Sequence, residues 1–421
     1  MLTPIDVPAH TRQSGVPVLL TTKSRRARTL VGACAWFSWL AAAATACADP
    51  LCDPLPPAAL IADWSAPGAC DTSPAARYLW AELDYPQGAA RATGVAANER
   101  EVFVSTIDGV WRRPLDGSAT WSRLGLQGRS ILSLLAIGPS IVLAGTLGAV
   151  HRTTDAGAHW CSSGSERFVG EAIHEAIPFL QLVRDPGAEG GGIGLLYAGV
   201  SGSSIAFSRD AGATWGRAVG EQTWSIGSCA LHVAGGAVRK LYRGCDVVDR
   251  ASISDFDLSS RDGRLGEPTE LIAGADLGYH HPTSFASSAA GPDAVYAGLS
   301  GGVIKLSPAN AGVRWIYRSP DDALPGTVEY TNVQFVWIDP CKPTHLVFGG
   351  PGPGSAQGPS FDVHETADDG TTTEQLPSPL PDSTAWLRGG AKAGLAGRDL
   401  VVLAGDASGP GFKVLRRYPG P

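Results

Sequence analysis

The chain has 421 residues, including 53 Gly, 31 Pro, 12 Trp and a single Met, and a formal net charge of −7. The Gly and Pro content breaks up long helices and favours many short strands, in two or three domains or in one large all-β unit. The acidic balance argues against non-specific nucleic-acid binding, which needs clustered Lys and Arg.

The first element is a leader. Lys23–Arg28 is a basic stretch, Thr29–Ala48 is apolar, and Ala46-Cys47-Ala48 has the small-x-small spacing of a secretory cleavage site. Residues 1–48 are therefore expected to be a cleaved signal. The alternatives are a membrane anchor, or lipidation at Cys47. Removal of the leader leaves 28 basic and 39 acidic residues, a net charge of −11, and no expected membrane span. Six cysteines then remain (Cys52, Cys70, Cys161, Cys229, Cys245 and Cys341), an even number that suits an oxidising, exported location. Residues 49–76 read as a Pro-rich arm in which Cys52 and Cys70 are expected to pair.

From residue 77 onward short apolar segments recur in sets of four. The first set is "ATGVAAN", "EVFVSTI", "GVWRRPL" and "TWSRL"; the second is "ILSLLAI", "SIVLAGT", "AVHRTTD" and "HWCSS". Five further sets follow, and the last, "WLRGGAK", "LVVLAGD" and "FKVLRRY", is one strand short. An unclaimed strand, Arg77–Leu83, precedes the first set and can complete the last one. A repeat of this length closes into a ring of small sheets and removes exposed sheet edges. The expected fold is thus all-β: one β-propeller of seven four-stranded blades over 77–421, or six if the fourth set is an insertion, closed by the N-terminal strand.

Between the third and fourth strands of several sets lies a related octet. "PLDGSATW" contains Asp116, "TTDAGAHW" Asp155, "SRDAGATW" Asp210, "PANAGVRW" Asn310 and "TADDGTTT" Asp368. An Asp side chain can accept bonds from nearby backbone N–H groups and close a turn. Gly supplies a conformation other residues resist, and Trp fills the space between sheets. The pattern resembles the Asp-box, or BNR repeat, carried by the propellers of sialidases, sortilin-type receptors, xyloglucanases and a photosystem II assembly factor. The resemblance implies that these Asp residues are structural and that ligands bind on the opposite face. It does not extend to sialidase catalysis, because the chain contains no R-I-P motif and no arginine triad in a recognisable context.

The loops expected on that opposite face carry the candidate ligand-binding residues: His174, Glu175, Tyr279, His280, His281, Asp321, Asp322, Glu329, Trp386 and Arg388. His280-His281 lack a spaced third ligand, so no metal site is expected, and no cofactor motif is present. Asp321-Asp322 would serve a glycosidase only if two carboxyls faced each other across a bond. The phasing places Cys229 and Cys245 at adjacent ends of two paired strands, where a bridge is expected, while Cys161 and Cys341 either stay free or pair with the arm. The expected function is an exported, monomeric binding or scaffolding module for a protein or glycan. The alternative is a glycoside hydrolase or lyase working on the same loops.

Overall fold

The computed structural model describes residues 50–55, 78–137, 140–163, 177, 179–185, 193–200, 204–218, 229–234, 240–247, 250–258, 264–272, 282–288, 291–307, 312–318, 333–350, 362–377, 386–393, 398–405 and 412–419. They form seven four-stranded antiparallel sheets, the blades of a propeller. Blade one is β2 (Ala92–Ala97), β3 (Glu101–Thr106), β4 (Gly109–Pro114) and β5 (Ser122–Gly125). Blade two is β6 (Ser133–Ala136), β7 (Val142–Gly145), β8 (Val150–Thr153) and β9 (Cys161–Ser163). Blades three to six continue in the same order, from β10 (Phe179–Asp185) to β25 (Glu374–Gln375). Blade seven takes β26 (Trp386–Ala393), β27 (Asp399–Gly405) and β28 (Lys413–Pro419), and its fourth strand is β1 (Tyr78–Glu82). β1 runs antiparallel to β28, with Tyr78 opposite Pro419 and Glu82 opposite Leu415. The fourth set is a complete blade, β14 (Cys229–Ala234), β15 (Lys240–Val247), β16 (Arg250–Asp257) and β17 (Thr269–Ile272), so the six-bladed alternative is excluded.

Why apolar runs such as "DLVVLAG" form these sheets is visible in the packing. A propeller strand has a neighbouring blade on each face, so both of its side-chain rows are buried. Among the described residues seven apolar clusters occur, one at each blade-to-blade junction. The two-residue period sorts the side chains between junctions. On β7, Val142 and Ala144 pack toward blade one, and Leu143 packs toward blade three. On β27, Leu400, Val402 and Ala404 face blade six, and Val401 and Leu403 face blade one.

The octets sit where β strands three and four of a blade meet. Asp210 Oδ1 accepts from Ser208 Oγ (2.8 Å) and from the Thr214 N–H (2.8 Å), and its Oδ2 accepts from Thr214 Oγ1 (2.6 Å). Asp155 and Asp368 repeat the pattern with Thr153 and His159, and with Thr366 and Thr372. Asp116 accepts from the Ser118 N–H (2.9 Å); its octet has Pro114 where those of Asp155, Asp210 and Asp368 have Thr153, Ser208 and Thr366. Asn310 lies outside the described residues. The turn also touches the preceding blade. Trp121 Nε1 donates to Leu83 O, Trp160 Nε1 to Leu124 O and Trp215 Nε1 to Ser163 Oγ, each at 3.0 Å. Gly157 has φ +90°, and a Cβ there would lie 2.5 Å from Leu124 O, so the close approach itself requires Gly. Blade four lacks an octet, and Leu265 takes over this packing: its N–H donates to Ala218 O of blade three (2.7 Å) and its side chain is buried there.

The arm is placed differently from the sequence expectation. Cys52 is bonded to Cys161, not to Cys70. The arm lies parallel to the outer strand of blade two: Leu51 bridges Ser162, Cys52 N–H donates to Ser162 O (3.1 Å), and Ser162 N–H donates to Pro50 O (2.8 Å). That register brings Cys52 to Cys161. Buried Arg152 fixes the arm further, donating to Asp53 O (2.6 Å) and to Ala211 O in the blade-three turn (2.7 Å). Cys341 is also disulfide-bonded, and Cys229 stands opposite Cys245 in the backbone register of blade four. Cys70 lies outside the described residues. Cross-linking across 109 residues restricts the unfolded chain, so Cys52→Ser/Cys161→Ser is expected to lose about 2–4 kcal/mol of stability. An unchanged urea midpoint would show that the bridge adds nothing. No helix among the described residues is long and apolar enough to cross a membrane.

Candidate functional site

The antiparallel path sends two sets of loops to opposite ends of the wheel. One end carries the octet turns. The other carries the turns between second and third strands and the links that enter each new blade, and this is the end expected to meet a ligand.

At the octet end the carboxylates are already engaged. Backbone and side-chain bonds from His159 bring the Asp155 pKa down to about 2. Bonds from Thr372 lower Asp368, and bonds from Ser118 lower Asp116. Groups held ionised in this way suit turn closure and are poor proton donors at neutral pH. Asp369 acts between blades: its carboxylate accepts from Tyr296 Oη (2.5 Å), Lys305 Nζ (2.6 Å) and Arg314 Nη2 (2.6 Å), all on blade five. A cleft of about 540 Å³ at this end, between blades seven and one, is lined by Arg100, Glu101, Arg112, Asp116 and Arg416 among others. Its charges are mixed and partly paired internally. Arg112 faces Glu101 at 3.7 Å, and Arg416 binds Asp399 (2.6 Å) and Leu115 O (2.7 Å).

A second titratable cluster closes the seam between blades six and seven. Tyr78 Oη donates to Asp339 Oδ2 (2.7 Å). His345 lies between Asp339 and Glu365, and Arg417 bonds Glu365 while its guanidinium covers the Tyr78 ring at 4.2 Å. Burial works against protonation of His345, but the hydrogen bonds with Asp339 and Glu365 outweigh it and hold the pKa above the ordinary histidine value. Burial also opposes ionised Asp339, yet bonds from His345, Tyr78 and the Cys341 N–H bring it down to about 2. Glu365 is lowered in the same way, by His345 and Arg417 against its burial. The His345 contribution to stability is present below its unfolded pKa of about 6.5 and is lost as pH rises through the higher folded value. The carboxylate contribution is present above about pH 4 and is lost as pH falls below it. The melting temperature should therefore plateau between about pH 4.5 and 6.5 and decline on both sides. In His345→Gln the alkaline decline should flatten; an unaltered alkaline limb would assign it to other groups.

At the end opposite the octets, the described loops include those of blades one and two. The turn Thr106–Gly109 is held by Thr106 Oγ1, which donates to Gly109 O (2.9 Å) and accepts from the Asp108 N–H (3.0 Å). Asp108 is engaged as well, by Arg123 (3.2 Å) and by the Gly128 N–H (2.6 Å). The equivalent turn in blade two, Thr146–Ala149, uses Thr146 Oγ1 and Ala149 O at 3.1 Å. Of the sequence candidates, Trp386 and Arg388 stand on β26, with their side chains outside the described set. His174, Glu175, Tyr279, His280, His281, Asp321, Asp322 and Glu329 lie outside the described residues. The Tyr78–Asp339–His345–Glu365–Arg417 cluster was not foreseen from sequence, and neither were the exposed apolar residues at the two turn tips.

No protein-family model and no curated protein sequence matches the chain. Solved structures do match. YCF48 bound to D1 peptide is 12% identical, with a TM-score of 0.53 over 85% of this chain and 100% of that one. A chain of the mitotic checkpoint complex gives 12% and 0.54 over 85% and 98%. Virginiamycin B lyase from Staphylococcus aureus gives 12% and 0.54 over 81% and 99%. At these identities the likeness is one of fold: this chain is similar to all three as a seven-bladed propeller.

Proposed function

We propose that the chain is an exported binding or scaffolding propeller with Asp-box turns, engaging a protein or a glycan on the face opposite those turns. The observation that carries this reading is the division of labour between the two ends of the wheel. The recurrent carboxylates are bonded within their own turns, and Asp369 beside one of them is bonded to the preceding blade, while the other end presents the loops entering each blade. The Cys52–Cys161 bridge supports an oxidising compartment, and residues 1–48 serve as the export signal. Two of the similar propellers were solved with partners, one with the D1 peptide and one in the mitotic checkpoint complex.

A second reading, a lyase or glycoside hydrolase on the same loops, is favoured by the likeness to virginiamycin B lyase. The two readings differ in the fate of the ligand. The chain from Asp49 onward should be screened against immobilised glycans and envelope proteins, and bound ligand recovered for mass spectrometry. Saturable binding with the ligand recovered intact is expected. Recovery of a cleaved or eliminated product would replace the binding reading with the enzymatic one.

A further inference from the structure

Among the described residues the large apolar side chains left exposed are Leu51, Leu79, Ile107, Leu132, Leu147 and Val313. Three of them, Ile107 (44% exposed), Leu132 (36%) and Leu147 (69%), belong to neighbouring loops at the ligand-facing end. Backbone bonds knit these loops together. Ile131 N–H donates to Thr106 O (3.1 Å), and Leu132 N–H donates to Gly145 O (2.8 Å). Leu132 thus sits between the turn tipped by Ile107 in blade one and the turn tipped by Leu147 in blade two.

These tips do not need apolar residues to form. In both turns a threonine hydroxyl makes the closing bond, and the apolar side chain at the tip takes no part in it. Isolated exposed apolar residues are ordinary, but three on adjacent loops form a patch, and patches on the loop face mark contact surfaces. The border is basic. Ile107 N–H donates to the carbonyl of Arg91, whose side chain is exposed. The one carboxylate in the turn, Asp108, is already engaged by Arg123 and Gly128. An apolar centre with a basic border is complementary to an extended peptide that places apolar side chains beside acidic ones.

We infer that the Ile107–Leu132–Leu147 patch is the docking site for such a peptide segment of a partner protein. This rests on the binding reading above and narrows it to blades one and two. The probes are short fluorescein-labelled peptides alternating Leu with Asp or Leu with Lys, titrated by anisotropy at low salt against the chain from Asp49 onward. The Leu/Asp peptide is expected to bind more tightly than the Leu/Lys peptide, with affinity falling as salt rises. Leu147→Asp should weaken it by about tenfold or more, the scale of a central contact residue. Arg91→Glu should reverse the preference between the two peptides. Both positions are exposed, so unchanged circular dichroism and melting temperature are expected, and Leu147→Ser supplies a milder second variant. Hydrogen exchange should show protection by the peptide over 105–109, 129–133 and 145–149.

Equal or absent binding of the two peptides would overturn the proposal, as would wild-type affinity in Leu147→Asp. So would a dimer, seen by sedimentation, that Leu147→Asp dissolves, because a second copy would then be the occupant. Intact ligand captured from the screen above, with protection confined to other blades, would leave the binding reading standing and refute this site alone.

Discussion

Replacing Trp215 by alanine is expected to cost about 3–5 kcal/mol, the range for emptying a buried aromatic site. Trp215 is 1% exposed and belongs to the cluster between blades two and three, with Leu143, Leu196 and Ala211 around it. Its indole N–H is bonded to Ser163 Oγ across the junction. The substitution removes apolar burial, leaves a cavity that a closed ring cannot collapse freely, and strips Ser163 of a partner. Trp215→Phe keeps most of the volume and should cost clearly less. Urea unfolding of the two variants measures the difference. Equal and small losses would show that the octet tryptophan is a surface ornament of the turn, not a wedge between blades.

Arg417→Ala should be comparably damaging, at about 3–5 kcal/mol, because removing one partner of a buried ion pair leaves the other charge uncompensated. Here the stranded group would be Glu365, which would retain only His345. Loss of the guanidinium would also uncover the Tyr78 ring on the closing strand. The two costs can be separated. Glu365→Gln in the Arg417→Ala background should recover part of the loss, since the stranded charge is gone. No recovery would assign the whole effect to packing on Tyr78.

Much of the wheel was legible in the sequence because blade strands are buried on both faces and the octets mark one turn in five of the seven blades. The missing strand of the last set could be inferred from counting, and Arg77–Leu83 was the available segment. The junction chemistry was not legible. Tyr78 and Asp339 are separated by 261 residues, and His345, Glu365 and Arg417 lie on three different strands. Only the stacking of blades six and seven brings them together, and no local spacing announces it. The Cys52 pairing was missed for a similar reason: the arm has no periodicity to reveal that it runs beside blade two. The turn tips did carry a signal. Aligning "STIDGV", "GTLGAV" and "GLSGGV" puts Ile107, Leu147 and Ser300 in one column. The apolar residues in blades one and two stand out only once Ile107 and Leu147 are known to face solvent, whereas Ser300 in the same column is buried.

Ring closure by β1 underlies every statement about the two ends of the wheel, and hydrogen exchange tests it most directly. The amides of Tyr78–Glu82 that face β28 should be protected together with Lys413–Pro419, because β28 pairs only these alternate positions of the edge strand. Fast exchange of Tyr78–Glu82 beside a protected Lys413–Pro419 would mean that the N-terminal strand does not close the ring.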